Sequence, residues 1–474
     1  MIIKPNKLIA FFLLFCINPF FIKAQNVEQK NNVLSFEQFL FLVKKFHPVA
    51  KQAELITKSA NADVLKAKGS FDPKVYYEFR NKFFENNNYY QIENGGFKIP
   101  TWFGLELKGG YEQNEGKYLN SENSTPGSGL IYTQVSLPVL QGLLIDERRN
   151  TLKQAKLFQQ QSEFEKINQL NELLYKSGKT YWDWHLSYNN LEIHKNAIEL
   201  SKQRLDAIKQ TALLGDRPIV DTLEASIQLQ DRMVSYQQAL LNYRTQSLLL
   251  SNFIWQENNV PLEITEQTTP EKYTSELKND SYINQSIQQI DSLINGHPYL
   301  KIYDLKLSQL QAERRYKRDK LKPSVNLLYS PLFNANNSTN YNFNNYKWGV
   351  SVDFPVFLRK ERGDIQLTQI KIENTQFDAA IKKNEITNKV KASIIGYNNY
   401  KMQLSIYTRN VLDYEKLWLS EKRLFDSGES SLFMINNREV SYINAKIKLN
   451  EMINKKQKSG LEAEYAFGEL NTNY

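Results

Sequence analysis

A seven-residue hydrophobic repeat in residues 364–425 constrains this chain more than any other feature. Tyr400, Leu404, Tyr407, Val411, Tyr414, Trp418 and Phe425 follow one another at spacings of 4, 3, 4, 3, 4 and 7, with Glu421 at the skipped step. Val390, Ser393 and Tyr397 carry the alternation upstream. No proline falls between Asp364 and Phe425, and Gly396 is the single glycine there. The stretch therefore predicts a helix of roughly 60 residues, about 90 Å long at 1.5 Å per residue. A 3.5-residue period sustained over that length requires neighbouring helices to supercoil against.

The helix is expected to stop at Asp426-Ser427-Gly428-Glu429-Ser430-Ser431. Gly428 can take the left-handed conformation that closes a helix, and Ser430 or Ser431 can cap the next one. A second helix over residues 432–464 then runs back, giving a long hairpin with a small polar tip. An ordinary globular core has no use for such a length. At 474 residues the chain reads as one elongated unit rather than two or three globular domains.

The rest of the chain repeats this plan. Residues 34–69 read as helix with an early break at His47-Pro48, followed by alternating aromatic strands near Val75-Tyr76-Tyr77-Glu78-Phe79. More strand patterning follows at 97–111 and 130–137, separated by a polar loop at 112–129. A long helix over 146–214 turns at Leu214-Gly215-Asp216-Arg217-Pro218 and returns to about Trp255. His297-Pro298 then mirrors His47-Pro48, Lys322-Pro323 mirrors Asp72-Pro73, Phe354-Pro355 mirrors Leu137-Pro138, and Gly428 mirrors Gly215. Four landmarks in one order mark an internal duplication. The division is 25–270 for the first repeat, 271–296 for a connector, 297–465 for the second repeat and 466–474 for a tail. The first copy is longer between its landmarks, with room for an extra hairpin around Pro100-Thr101. Helices flanking each strand region, placed end to end, match one uninterrupted helix in length. Four rods per chain follow, two continuous and two spliced, with the connector and tail beside the splices.

Mean hydropathy is −0.54, and beyond the N-terminus no apolar run is long enough for a transmembrane helix. Residues 1–24 read as a secretory signal: Lys4 and Lys7, an apolar core from Leu8 to Phe15, and cleavage after Ala24. Acylation at Cys16, the only cysteine, is the other reading of this segment. Removing residues 1–24 takes away three lysines and no acid, lowering the net charge from +9 to +6. The 27 tyrosines and 26 phenylalanines suit interfaces and lipid–water boundaries better than a buried core. Tyr76, Tyr77, Trp102 and Tyr132 in the first copy, with Tyr346 and Trp348 in the second, are the candidate aromatic belt. From Lys347 to Phe354 the chain alternates strictly, Trp348, Val350, Val352 and Phe354 facing one way and Ser351 and Asp353 the other. That is the pattern of a strand between lipid and water. Two pairs of strands cannot close a barrel, and an open edge cannot sit in lipid, so the chain is expected to oligomerise.

Signal, duplicated order, strand pairs and glycine tips together resemble the outer-membrane efflux channel (TolC) family. The likeness covers residues 35–465 and is most specific at Arg423-Leu424-Phe425-Asp426-Ser427-Gly428-Glu429-Ser430-Ser431-Leu432-Phe433. The resemblance implies a mainly α fold with a membrane β-barrel: a helical tunnel plus a twelve-stranded barrel, built by a homotrimer. It implies a periplasmic adaptor and an inner-membrane pump as partners, with outer-membrane lipid around the barrel. The tips Gly215, Asp216, Gly428, Glu429 and Ser430 are the expected adaptor contacts. Members of the family can place acids six and nine residues after the second tip glycine; this chain has Met434 and Asn437 there. Arg217 and Asp221 near the first tip are the other constriction candidates.

No Ser-His-Asp grouping, phosphate loop or metal-ligand spacing stands out, and no cofactor or catalytic residue is expected. His47 and His297 read as helix-start features. Spread along helices, the basic charge reads as solvated faces and not as a nucleic-acid site. The expected function is a passive outer-membrane exit duct spanning into the periplasm, serving a tripartite efflux pump or a type I secretion system. A pore-free structural coiled coil or adhesin stalk is the alternative.

Overall fold

The computed structural model describes residues 32–273, 289–337 and 342–473. The signal at 1–24 and the choice at Cys16 lie outside them, as do the middle of the 271–296 connector and the turn of the 334–345 loop.

Strand β1 (Asn32–Leu34) leads into α1 (Phe36–Phe46), which Ser35 opens with a reciprocal capping box through Gln38. Helix α2 (Pro48–Lys68) starts at His47, whose Nδ1 accepts the Val49 N–H at 3.1 Å. Pro48 supplies no donor where none is needed. Four strands follow: β2 (Lys74–Phe84), β3 (Asn87–Pro100), β4 (Glu106–Glu115) and β5 (Leu130–Pro138). Asp146 caps α3 (Glu147–Leu213), a single helix of 67 residues, and α4 (Ile219–Ser251) returns from its far end. The first repeat closes with β6 (Trp255–Gln256), β7 (Val260–Pro261) and β8 (Thr268–Pro270), and β8 pairs in parallel with β1. In the second half come α5 (Ile290–Gly296), α6 (Pro298–Asp319), β9 (Ser324–Asn334) and β10 (Tyr346–Asp353). The chain ends in α7 (Arg359–Asp426, 68 residues), α8 (Leu432–Phe467) and a short α9 (Leu470–Asn473). His297 opens α6 as His47 opens α2, accepting the Tyr299 N–H at 3.2 Å.

The long helices pack as rods. α3 lies between α4 and α8 over one half of its length and between α2 and α6 over the other, while α7 runs beside α8 and then α6. The heptad stripe is the inward line of α7. Val390, Ser393, Tyr397, Val411 and Phe425 are buried; Tyr400, Leu404, Tyr407, Tyr414 and Trp418 are half-buried. Trp418 stacks on Tyr442 of α8 with ring centroids 5.3 Å apart.

The two spliced rods are sealed at mid-length. At one splice His47 stacks on Phe253 and meets the edge of Trp255, beside a core of Phe39, Leu40, Leu174, Tyr181, Trp184 and Leu250. At the other, Leu300, Val390, Tyr397, Ala463 and Phe467 form a second core. Gly468, at φ +80°, turns the tail there, and its carbonyl accepts Asn171 Nδ2–H at 2.7 Å.

The strands differ from expectation in number. Two pairs per chain were expected, and the described residues contain one six-stranded antiparallel sheet ordered β10-β9-β5-β4-β3-β2. The surplus is the outer hairpin β2–β3, joined to β4 by a turn at Thr101–Leu105, where the Thr101 N–H donates to the Leu105 carbonyl at 2.9 Å. The two repeats join where β5 pairs with β9, from Leu130↔Asn334 to Pro138↔Asn326.

Candidate functional site: a two-faced sheet and two glycine tips

Register settles which side chains share each face of the sheet. Val75, Tyr77 and Phe79 of β2 align with Phe97 and Ile99 of β3, then with Leu107 and Tyr111 of β4. The same row continues through Ile131, Val135 and Leu137 of β5, Val325, Leu327 and Tyr329 of β9, and Trp348, Val350 and Val352 of β10. Much of this row is left open: Val75 is 89% exposed and Trp348 68%. A contiguous apolar face across six strands is far beyond what a water-exposed surface carries. The opposite face holds Lys74, Glu78, Arg80, Lys98, Glu106, Lys108, Glu112, Gln134, Ser136, Asn326, Lys347, Ser351 and Asp353. Lys74, Lys98 and Lys108 stand abreast on adjacent strands. Their repulsion is relieved by Glu106, 2.6 Å from Lys98 and 3.2 Å from Arg148, and by the Tyr76 ring under Lys108 at 4.7 Å.

The belt residues divide between the faces. Tyr77, Tyr346 and Trp348 lie on the apolar face, where Tyr346 stacks on Tyr329 at 5.9 Å. Trp102 is exposed in the β3–β4 turn. Tyr76 and Tyr132 require a correction, because they occupy the polar face. Tyr76 lies opposite Gly96, Gly96 opposite Gly110, and Gly110 opposite Tyr132. The two rings lean inward over the glycines until their hydroxyls touch, and Asn94 Oδ1 accepts from Tyr132 at 2.8 Å. Neither glycine tolerates a side chain: a Cβ on Gly96 would overlap the Gly109 carbonyl, and one on Gly110 would sit 2.6 Å from the Gly95 carbonyl. The doublets Gly95-Gly96 and Gly109-Gly110 were the overlooked signal. They bring strands close and give tyrosines from the flanking strands a place to lie.

At the other end of the rods both tips close in the same way. The Asp216 N–H donates to the Thr211 carbonyl at 3.0 Å and the Gly215 N–H to Ala212 at 3.2 Å. The Glu429 N–H donates to Leu424 at 2.9 Å and the Gly428 N–H to Phe425 at 3.1 Å. This is the Schellman pattern, with Gly215 at φ +81° and Gly428 at φ +79°. Open space surrounds both glycines. Ser431 caps α8 by accepting the Met434 N–H, and Ser430 bonds Glu421 instead.

Arg217 joins the tips. Its guanidinium lies 4.1 Å from the centre of the Phe425 ring and 3.8 Å from Asp221. Met434 and Asn437 are exposed on α8. Leu213, Leu214, Ile219, Val220 and Phe433 are also exposed there, an apolar fringe around polar turns.

Farther up the hairpins lies a buried charge cluster that the sequence reading missed. Glu439, 1% exposed, pairs with Arg204, and Arg232 lies 3.7 Å away. Arg204 also donates to Asn436 at 2.9 Å. Burial pushes the Arg232 guanidinium below its usual range, opposed by Glu439. The signal was present: Leu432, Ile435, Glu439 and Ile443 form a 3–4–4 stripe with a carboxylate at a core position.

Among the described residues no group of three or more His, Cys, Asp or Glu is placed to hold a metal ion. No described helix is long and apolar enough to cross a membrane.

No family model matches the chain, and no curated protein matches it. Solved structures do. The CmeC outer membrane channel of Campylobacter jejuni superposes with a TM-score of 0.62 at 14% identity, covering 93% of this chain and 86% of that one. The open-state MtrE outer membrane channel of Neisseria gonorrhoeae gives 0.64 at 10% identity, covering 91% and 88%. The outer membrane protein VceC of Vibrio cholerae gives 0.61 at 10% identity, covering 91% and 96%.

Proposed function

We propose, from its TolC-like fold, that this chain assembles as a homotrimer forming a passive exit duct through the outer membrane and into the periplasm. The observation that carries this reading is the division of labour along the rods. One end presents a sheet that is apolar on one face and charged on the other; the opposite end presents bare helical turns. An apolar face of this extent needs lipid, and open sheet edges in lipid need partner strands. Three copies supply both the missing strands and a closed ring of rods. The charged face then lines water.

The tips, farthest from the membrane end, would receive a periplasmic adaptor of a tripartite efflux pump or a type I secretion system. Energy would come from the inner-membrane pump. Gly215, Asp216, Gly428, Glu429 and Ser430 form the contact, with the exposed leucines and valine of the first tip beside them. Arg217 and Asp221, together with Met434 and Asn437, would line the narrow end. The chain holds its Arg217–Asp221 pair against its own Phe425, so closure there rests on packing and one ion pair rather than on an acidic ring.

Planar-bilayer recording tests the duct. Purified protein should run as a trimer in mild detergent and give stepwise single-channel currents. A trimer that leaves the bilayer sealed would return the chain to a structural stalk. Docking is tested separately with Gly428→Trp. Normal trimer level with lost adaptor crosslinking is the expected result; retained crosslinking places the contact elsewhere.

A further inference from the structure

We infer that three copies close an eighteen-stranded barrel, by pairing β2 of one copy with β10 of the next. This rests on the trimeric duct proposed above. Each chain brings six strands in one continuous sheet, with β2 and β10 at its edges.

The surplus strands behave as wall rather than as a flap. β3 keeps ten consecutive paired positions with β4, from Gln91↔Glu115 to Pro100↔Glu106, and β2 pairs with β3 from Lys74↔Lys98 to Phe84↔Asn87. At 11 and 14 residues they meet the span a membrane strand needs, about 9–11. The inside–outside alternation of the other strands runs through their helix-proximal halves, from Lys74 to Phe79 and from Gly95 to Ile99; beyond, Glu93 falls on the apolar side and a bulge separates Lys82 from Phe83. Tyr76 bridges to Tyr132 across Gly96 and Gly110, which fastens the edge strand to the third strand in from it.

The edges also fit each other. β2 leads away from the helices and β10 leads back to them, so neighbouring copies meet antiparallel like every other pair in the sheet. Lys74 starts β2 and Asp353 ends β10, so both stand at the helix-proximal margin of the sheet. Both lie on the polar face. The register that sets Lys74 opposite Asp353 sets Val75 opposite Val352, Tyr77 opposite Val350 and Phe79 opposite Trp348 on the apolar face. A shift by one residue would turn every side chain to the wrong side.

The circumferences agree as well. Eighteen strands spaced about 4.8 Å apart and tilted about 40° enclose a perimeter of about 113 Å, against about 75 Å for twelve. Twelve rods at about 8–10 Å spacing make a ring of about 96–120 Å. The wider barrel continues the tunnel without a step. Its bore, about 36 Å between backbones, belongs to the class that leaves an aqueous channel.

Paired cysteines test this; the only natural cysteine is Cys16. Val75→Cys with Val352→Cys, and independently Phe79→Cys with Trp348→Cys, should each give covalently linked trimers under mild oxidation. Leu107→Cys with Val352→Cys should not. Trimers linked only through Leu107, on β4, would mean that β2 and β3 stand outside a twelve-stranded wall, overturning the inference and leaving the duct. Trimers linked by neither β2–β10 pair overturn it too. A chain that remains monomeric in mild detergent removes both the inference and the trimeric duct.

Discussion

The two repeats are alike at one end and unlike at the other. At the tips, Gly215 and Gly428 sit in the same backbone conformation with the same pair of carbonyl bonds. At the sheet, the first repeat supplies four strands and the second two. A helix reversal in open space has few solutions, and one glycine at positive φ satisfies them, so the motif recurs. A sheet can take a further hairpin whenever the inside–outside pattern is kept and the new edge finds a partner. The tips are therefore constrained by backbone geometry, and the sheet by its faces and its edges. Side chains around the two tips differ even so: Glu439 follows Gly428 at the interval at which Ser226 follows Gly215.

Breaking that last difference should have the largest effect. Glu439→Gln leaves Arg204 and Arg232 buried without a counter-charge and should cost about 3–5 kcal/mol. Ser226→Ala should stay within about 0.5 kcal/mol. Thermal unfolding in detergent compares them, and equal effects would remove the asymmetry.

Acid sharpens the comparison at mid-length. Burial pushes His297 down to about 4, with Lys382 and Lys389 adding to the effect, and burial pushes His185 down to about 4. Unfolded histidine titrates near 6.5, so the unfolded chain takes up protons that the folded chain refuses between about pH 6.5 and 4. Stability should be full above about 6.5 and fall by on the order of 3 kcal/mol per histidine as pH drops to 4. His297→Asn keeps a capping oxygen without the charge. It should match the parent at pH 8 and exceed it at pH 4.5. His47, the equivalent cap in the first repeat, is also lowered by burial, so His47→Asn should act in the same direction. A flat stability profile between pH 7 and 4 would contradict this reading.

The sheet offers a glycine contrast. Gly96→Ala should cost about 1–3 kcal/mol through overpacking. Gly349→Ala, where a Cβ would meet open space, should be nearly silent. Oligomer yield and melting temperature read the difference.

Smallest of all, Gly215→Ala and Gly428→Ala should each cost roughly 1 kcal/mol through positive φ alone. They should cost the same. A larger loss at one tip would show a contact there beyond the turn.

Much of this plan was legible in the chain. The heptad stripe, the His-Pro caps and the Gly tips each report a local rule of helix periodicity or termination, and each appears where the spacing placed it. The sixth strand and the fifth were less legible. The stretch from Val75 to Tyr111 has the right alternation, but strand number depends on where the chain turns back, and Thr101–Leu105 carries its turn without a strong dipeptide signal. Tyr76 and Tyr132 were assigned to the belt by residue type. Their partners are glycines on the neighbouring strands, and only pairing register reveals that. Glu439 was hidden for a related reason: its charge suggested a solvated face, and burial beside two arginines depends on three helices meeting.

The join between β5 and β9 sets an order on assembly. Ile131 pairs with Phe333, roughly two hundred residues later in the chain, whereas the α3–α4 and α7–α8 hairpins are made of neighbours in sequence. Short-range helical contacts form early, and distant strand pairings wait for loop closure. The helical hairpins should therefore mature first and the six-stranded sheet next, and in the proposed trimer the contact between copies would come last. Until that final step each chain carries two open sheet edges and a bare apolar face through water. The slow, concentration-dependent step of biogenesis should thus lie at the sheet end, and there an escort protein would have to hold the chain until its neighbours arrive.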